Sequence, residues 1–72
     1  MTETTREQFG LLALLCGRRL PLQVCRSANG FYLGTLTDEG LPNSRESVEY
    51  WPKRALAEGA LVRGTFTQRV EP

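Results

Sequence analysis

From Phe9 to Cys16 the chain runs almost without a polar position, through Phe9, Leu11, Leu12, Ala13, Leu14, Leu15 and Cys16, before Gly17 offers a natural stop. Thr4 and Glu7 stand at capping-box spacing, and Thr5 and Gln8 repeat it one residue later, so the pattern predicts a helix that starts near residue 5. A helix lying on one sheet needs only one apolar stripe, whereas the second half of this one is apolar nearly all round. Two surfaces must therefore cover it. Either the sheet and the rest of the chain enclose it, or Leu11, Leu12, Leu14 and Leu15 meet a second copy in a homodimer.

After Gly17 the period shortens. Leu20–Ser27 and Phe31–Leu36 flank Asn29-Gly30, a dipeptide suited to the positive backbone angles of a type I′ hairpin turn. A turn there sets Ala28 opposite Phe31, Arg26 opposite Leu33 and Val24 opposite Thr35 on one largely apolar face. Gln23, Cys25, Ser27, Tyr32, Gly34 and Leu36 take the other face. A second reversal at Thr37-Asp38-Glu39-Gly40 leads through Pro42 into Ser44–Trp51, where alternation predicts a third strand with Val48 and Tyr50 inward and Arg45, Ser47 and Glu49 outward.

Pro52 suits the first position of a helix, where its missing N–H costs nothing. Lys53–Val62 then reads as a short helix packing through Leu56, Ala60 and Leu61, with Gly64 ending it. Gly59 weakens that helix by about 1 kcal/mol relative to alanine, a cost accepted more readily where the backbone lies close to the sheet. Thr65–Val70 alternates as an added edge strand would. The expected fold is a single α+β domain spanning residues 1–72: an N-terminal helix, a three-stranded antiparallel meander, a short C-terminal helix and a final edge strand.

Composition narrows what such a domain does. A chain of 72 residues buries only about 60% of its unfolded surface and is marginally stable. With no histidine it lacks the commonest general base and the commonest metal ligand. Cys16 and Cys25 are too few for a disulfide framework or a zinc site and read as reduced thiols. No cofactor, metal site or enzymatic activity is expected. The run Leu11–Cys16 is too short to span a bilayer, and Glu3 and Glu7 against Arg6 oppose a secretory signal, so the sequence reads as cytoplasmic with no membrane partner. Nine basic residues face eight acidic ones, which is not the electrostatic footprint of a non-specific nucleic-acid binder. Eight of the nine are arginine, a bias that a high-GC genome produces by itself.

The densest group of charged and aromatic residues is Ser44–Trp51. On an extended strand Arg45 and Glu49 share a face about 13 Å apart, so each needs a partner elsewhere. Glu46 and Glu49 would fall on opposite faces, and Asp38-Glu39 belongs to an exposed turn, so neither pair suits acid/base chemistry. Cys25 beside Arg26 has no group to lower its pKa and reads as a packing residue. The candidate contact residues are Arg45, Ser47, Glu49 and Trp51 on the third strand, with Tyr32 and Arg26 on the hairpin. Arg26, Tyr32 and Arg45 together also outline a nucleic-acid surface on the sheet face. Residues 17–36 carry three arginines and no acid, whereas residues 37–51 carry four acids against Arg45. An acidic third strand repels phosphate, and the dipolar arrangement suits a protein partner better.

Gly30-Phe31-Tyr32-Leu33-Gly34-Thr35, Ser44-Arg45-Glu46-Ser47 and Glu49-Tyr50-Trp51 resemble segments of short uncharacterised proteins from proteobacterial prophages and other mobile elements. The resemblance covers Cys25 to Arg69. It departs at Lys53 and Arg54, where such sequences place a threonine and acidic residues. It brings no catalytic or binding residue with it and implies a context only, that of a small regulator or inhibitor acting on a host or phage macromolecule. The function expected is that of a non-enzymatic protein-interaction module, with nucleic-acid binding through the sheet face as the alternative.

Overall fold

The computed structural model describes residues 8–70. Five elements follow one another: α1 (Leu11–Leu15), β1 (Gln23–Ser27), β2 (Gly30–Leu36), β3 (Pro42–Arg45) and α2 (Arg54–Arg63). The strands form an antiparallel meander in the order β1-β2-β3, so the expected α+β arrangement is present. Both helices lie on the sheet face that carries Phe31, Leu33 and Thr35, α1 against β3 and α2 against β1 and β2. The result is two layers around one core.

The first helix is shorter than expected. Gly10 is extended (φ −69°, ψ 124°), and Phe9 bridges Pro21. The Gly10 N–H donates to Leu20 O (3.0 Å), and the Leu22 N–H donates to Gln8 O (2.6 Å). Gln8–Gly10 therefore run as an extended segment beside Leu20–Leu22, and the helix starts at Leu11 instead of near residue 5. Of the two capping boxes, Thr4, Thr5 and Glu7 lie outside the described residues, and Gln8 directs its Nε2 to Leu61 O (3.0 Å). Gly17, at φ 84°, follows the helix as expected.

The hairpin turns one residue earlier than its Asn-Gly dipeptide predicts. Ser27 pairs with Gly30, Arg26 with Phe31 and Val24 with Leu33, so the loop is Ala28-Asn29. No described non-glycine residue has positive φ, which excludes a type I′ turn with Asn29 in it. Ser27 holds the turn instead: its Oγ accepts the Asn29 N–H (3.1 Å) and donates to Gly30 O (3.2 Å). Gly30 is required for another reason. It sits at φ 121°, and a Cβ there would lie 2.7 Å from Trp51 O. The register moves each partner by two residues, so each face keeps its expected composition.

The third strand is also corrected: it ends at Arg45 instead of continuing to Trp51. Leu33 O accepts both the Glu46 N–H (2.8 Å) and the Ser47 N–H (3.0 Å), and the ladder resumes only where Trp51 and Phe31 exchange bonds of 2.7 and 2.8 Å. The six residue steps from Arg45 to Trp51 thus span only the three from Gly34 to Phe31, and the excess is thrown out as a bulge. Alternation fails there. Val48, expected inward, is 50% exposed, and Tyr50 is half-buried across the other sheet face, while Glu46 and Ser47 become fully buried.

The core gathers Leu22, Leu33 and Ala57, with Val24, Phe31, Trp51, Leu61 and Phe66 packed around them. Helix α2 contributes Ala57 and Ala60 as its buried residues, with Leu61 half-buried; Leu56, expected inward, is 51% exposed. Alanines on the inner face bring the helix backbone close to the sheet. Gly64, at φ 70°, ends the helix in the left-handed conformation. The tail makes one bridge, Ser47 to Gln68, framed by Val48 N–H to Thr67 O (2.8 Å) and Arg69 N–H to Glu46 O (2.7 Å). It closes over the bulge and does not form a full strand.

Two glycines test this packing in opposite directions. A Cβ on Gly59 would meet nothing nearer than the Arg63 guanidinium at 3.5 Å, whereas one on Gly34 would lie 2.3 Å from Ser44 O. Gly59→Ala is expected to stabilise the fold by about 0.5–1 kcal/mol, raising Tm by roughly 4–8 °C per kcal/mol. Gly34→Ala should lower Tm, because backbone cannot yield as a flexible side chain does. Thermal unfolding followed by circular dichroism checks both.

Candidate functional site

Ser44, Glu46 and Ser47 lie where β3 gives way to the bulge, and the bulge turns Glu46 inward beneath α1. Its side chain is fully buried, and each oxygen accepts two hydrogen bonds. Oε1 takes the Leu12 N–H (2.9 Å) and Gln68 Nε2 (2.7 Å); Oε2 takes the Ala13 N–H (3.2 Å) and Ser44 Oγ (2.7 Å). An ionised carboxylate has only acceptors, so Ser44 must donate to it. Thr35 Oγ1 then donates to Ser44 Oγ (2.6 Å), and Asn43 Nδ2 donates to Thr35 Oγ1 (3.1 Å). One ordered chain of donors thus ends on Glu46. Burial alone would raise its pKa, but the Leu12 N–H, Ser44, Gln68 and the Ala13 N–H outweigh that and hold it below the ordinary carboxylate value. The carboxylate supplies the cap that α1 lacks from its own sequence. Gly10 leaves it room: a Cβ at residue 10 would lie 2.5 Å from Oε2.

The six residues expected to make contacts are mostly engaged inside the domain. Ser47 is fully buried; its Oγ accepts the Leu33 N–H (3.0 Å) and donates to Glu49 O (2.9 Å). Both Glu49 oxygens accept the Thr67 N–H (3.0 and 3.1 Å), and although burial raises its pKa, Thr67 draws it below the ordinary value. Arg45 donates to the Tyr50 hydroxyl and lies 4.7 Å from that ring's centre, so the guanidinium hydrogen bond lowers the Tyr50 pKa. Tyr50 in turn meets Tyr32 edge to face, with centroids 5.9 Å apart. Tyr32 is only 6% exposed, and burial pushes its pKa up. Trp51 is half-buried in the core. Cys25 is buried, with its thiol pushed up by desolvation. Of the six, Arg26 alone is exposed. On α1, Leu12 is buried while Leu11, Leu14 and Leu15 face outward at 47%, 45% and 72% exposure.

A different edge, that of β1, has no partner among the described residues. Phe31 and Leu33 direct their backbone groups toward Trp51, Glu46 and Ser47. By antiparallel alternation Tyr32 and Gly34 face β1, where Cys25 and Gln23 are their partners. Val24 and Arg26 consequently turn N–H and C=O out of the sheet, and among the described residues no partner meets them. On the same edge Leu20–Leu22 are already paired with Gln8–Gly10. Beside it, Leu22, Gln23, Val24, Arg54, Glu58, Leu61 and Val62 line an open groove of about 420 Å³ between β1 and α2. The backbone phase of Val24 and Arg26, and the arrival of Arg54 beside them, had no local signal in the sequence.

Among the described residues no helix is long and apolar enough to cross a membrane. Compared with protein-family models, curated proteins and solved structures, the chain matches none.

Replacing the carboxylate tests the Glu46 network. In Glu46→Gln one oxygen becomes an amide NH2, a donor facing two donors, so a loss of about 2–3 kcal/mol is expected, which lowers Tm by about 10 °C or more. Because the folded pKa lies below the unfolded one, the native protein should hold its stability above about pH 5 and lose it as pH falls below about pH 4. The variant should show a shallower acid loss, to which Glu49 still contributes. Denaturant titrations from pH 3 to 7 measure both.

Proposed function

We propose that this domain is a non-enzymatic protein-interaction module that takes an extended segment of its partner as an added strand on β1. The outward backbone groups of Val24 and Arg26 beside the β1–α2 groove carry this reading. Such an edge supplies affinity through main-chain hydrogen bonds, and the adjoining groove supplies selectivity through alternate side chains. The engagement of Arg45, Ser47 and Glu49 within the domain favours β1 over the third strand. The burial of Tyr32 and the pairing of Arg45 with Tyr50 leave no aromatic platform for a base, which favours protein over nucleic acid. A role as a regulator or inhibitor in a mobile element is compatible with this mode of binding.

The outward N–H of Val24 offers a clean test, because it takes no part in the β1–β2 ladder and proline is tolerated at such a position. Selection of a random displayed peptide library on the full chain should enrich extended sequences whose binding is lost in Val24→Pro and retained in an Arg45→Ala/Glu49→Ala variant. Arg26→Pro serves as the second blocking variant, each checked for native circular dichroism. No enrichment, or binding that survives both prolines, contradicts the reading.

The outward leucines of α1 favour self-association as a separate property. Sedimentation velocity should show a mass rising with concentration for the native chain and a constant monomer for Leu15→Glu, with equal Tm when both are dilute enough to be monomeric. A concentration-independent native monomer would remove it.

A further inference from the structure

The groove has two unlike ends. At one, Leu22, Val24, Leu61 and Val62 make an apolar lining, and Gln8 Nε2 donates to Leu61 O (3.0 Å). At the other, two guanidinium groups converge on one ring: Arg26 Cζ lies 5.8 Å and Arg54 Cζ 5.3 Å from the centre of Phe31. Stacking over a ring leaves the edges of a guanidinium free to donate to an anion. The acid beside Arg54, Glu58, is held only loosely, at 3.9 Å, with both side chains more than half exposed. An exposed pair of this kind contributes little and exchanges readily for a better-placed carboxylate.

We propose, resting on the strand-addition reading above, that the segment β1 accepts is acidic: an extended peptide with a carboxylate side chain between Arg26 and Arg54 and an apolar side chain two residues away in the groove beside Val24. The spacing follows from the strand. Val24 and Arg26 share the face toward α2 and lie about 7 Å apart at ~3.3 Å per residue, so a paired strand presents its own residues i and i+2 to the same two places. The recognised pattern is therefore acidic, any residue, apolar, in one chain direction or the other. Charge selects the partner and main-chain bonds hold it. Among the described residues, Arg26, Arg54 and Glu58 around the groove leave an excess of positive charge, which opposes a basic occupant.

The test uses the full chain, ¹⁵N-labelled and dilute, with capped synthetic octapeptides of alternating threonine and valine. One pair carries a glutamate two residues before or after a leucine; the matching pair carries glutamine instead. The expected result is that the Val24 and Arg26 amides exchange freely in the protein alone and become protected when a glutamate peptide is added. That peptide should bind about fivefold tighter than its glutamine counterpart, and the preference should shrink to less than twofold in Arg26→Gln/Arg54→Gln without loss of amide protection. If glutamate and glutamine peptides bind equally while protecting both amides, the acidic preference is overturned and strand addition stands. Amides already protected in the free protein mean that this chain or a second copy fills the edge, which overturns the proposal. So does binding that leaves both amides unprotected, or no binding by any of the four peptides.

Discussion

The four hydrogen bonds accepted by the Glu46 carboxylate are the constraint on which the rest of this small domain depends. They join α1, β3 and the tail at one buried point, through Leu12, Ala13, Ser44 and Gln68. A helix of five residues has no independent stability in water, and its first-turn amides would be orphaned against the sheet. An acidic group 34 residues away satisfies two of them. Among the described residues no cation pairs with this carboxylate; neutral donors alone hold the charge, which works because each oxygen is fully occupied. Removing water from an anion is costly unless its acceptor positions are filled, so the network is stable only as a complete set.

That requirement explains the bulge after β3. To place Glu46 under α1 the chain must leave the strand path after Arg45, and it rejoins the ladder only at Trp51. The residues in between are then used to close the domain: Ser47 against Leu33, Glu49 against Thr67, and Tyr50 over Tyr32. A stretch that is rich in charged and aromatic groups thereby becomes internal scaffolding. On the far edge of the sheet, β1 has no strand on its outer side among the described residues, and α2 lies alongside it.

Much of the fold was legible in the sequence because it rests on local rules. The alternation through Gln23–Leu36, the stop at Gly17 and the helix ended by Gly64 follow from side-chain period and glycine conformation. The hairpin faces were read correctly even though the turn fell on Ala28-Asn29, since a shift of two residues preserves side-chain parity. What could not be read depended on distant contacts. Nothing near Glu46 marks it as the cap of a helix that begins 35 positions earlier, at Leu11, and without that knowledge the pattern Val48-Glu49-Tyr50 looks like a continuing strand. The start of α1 failed for a related reason: Gln8–Gly10 pair with Leu20–Leu22, so a tertiary ladder overrides the helical signal. Arg26 was among the contact residues expected from the sequence; Arg54 was not, because α2 brings it to the same ring, Phe31, only in the folded chain.

The whole arrangement rests on a Glu46 that is ionised, buried and saturated with donors. Carbon-13 labelling of the glutamate side chains and titration of the Glu46 carboxyl by nuclear magnetic resonance measures this directly. The account predicts a titration midpoint below that of a free glutamate, with the Leu12 and Ala13 amide resonances shifting in step. A midpoint at or above the ordinary glutamate value, or amides indifferent to the titration, would contradict it.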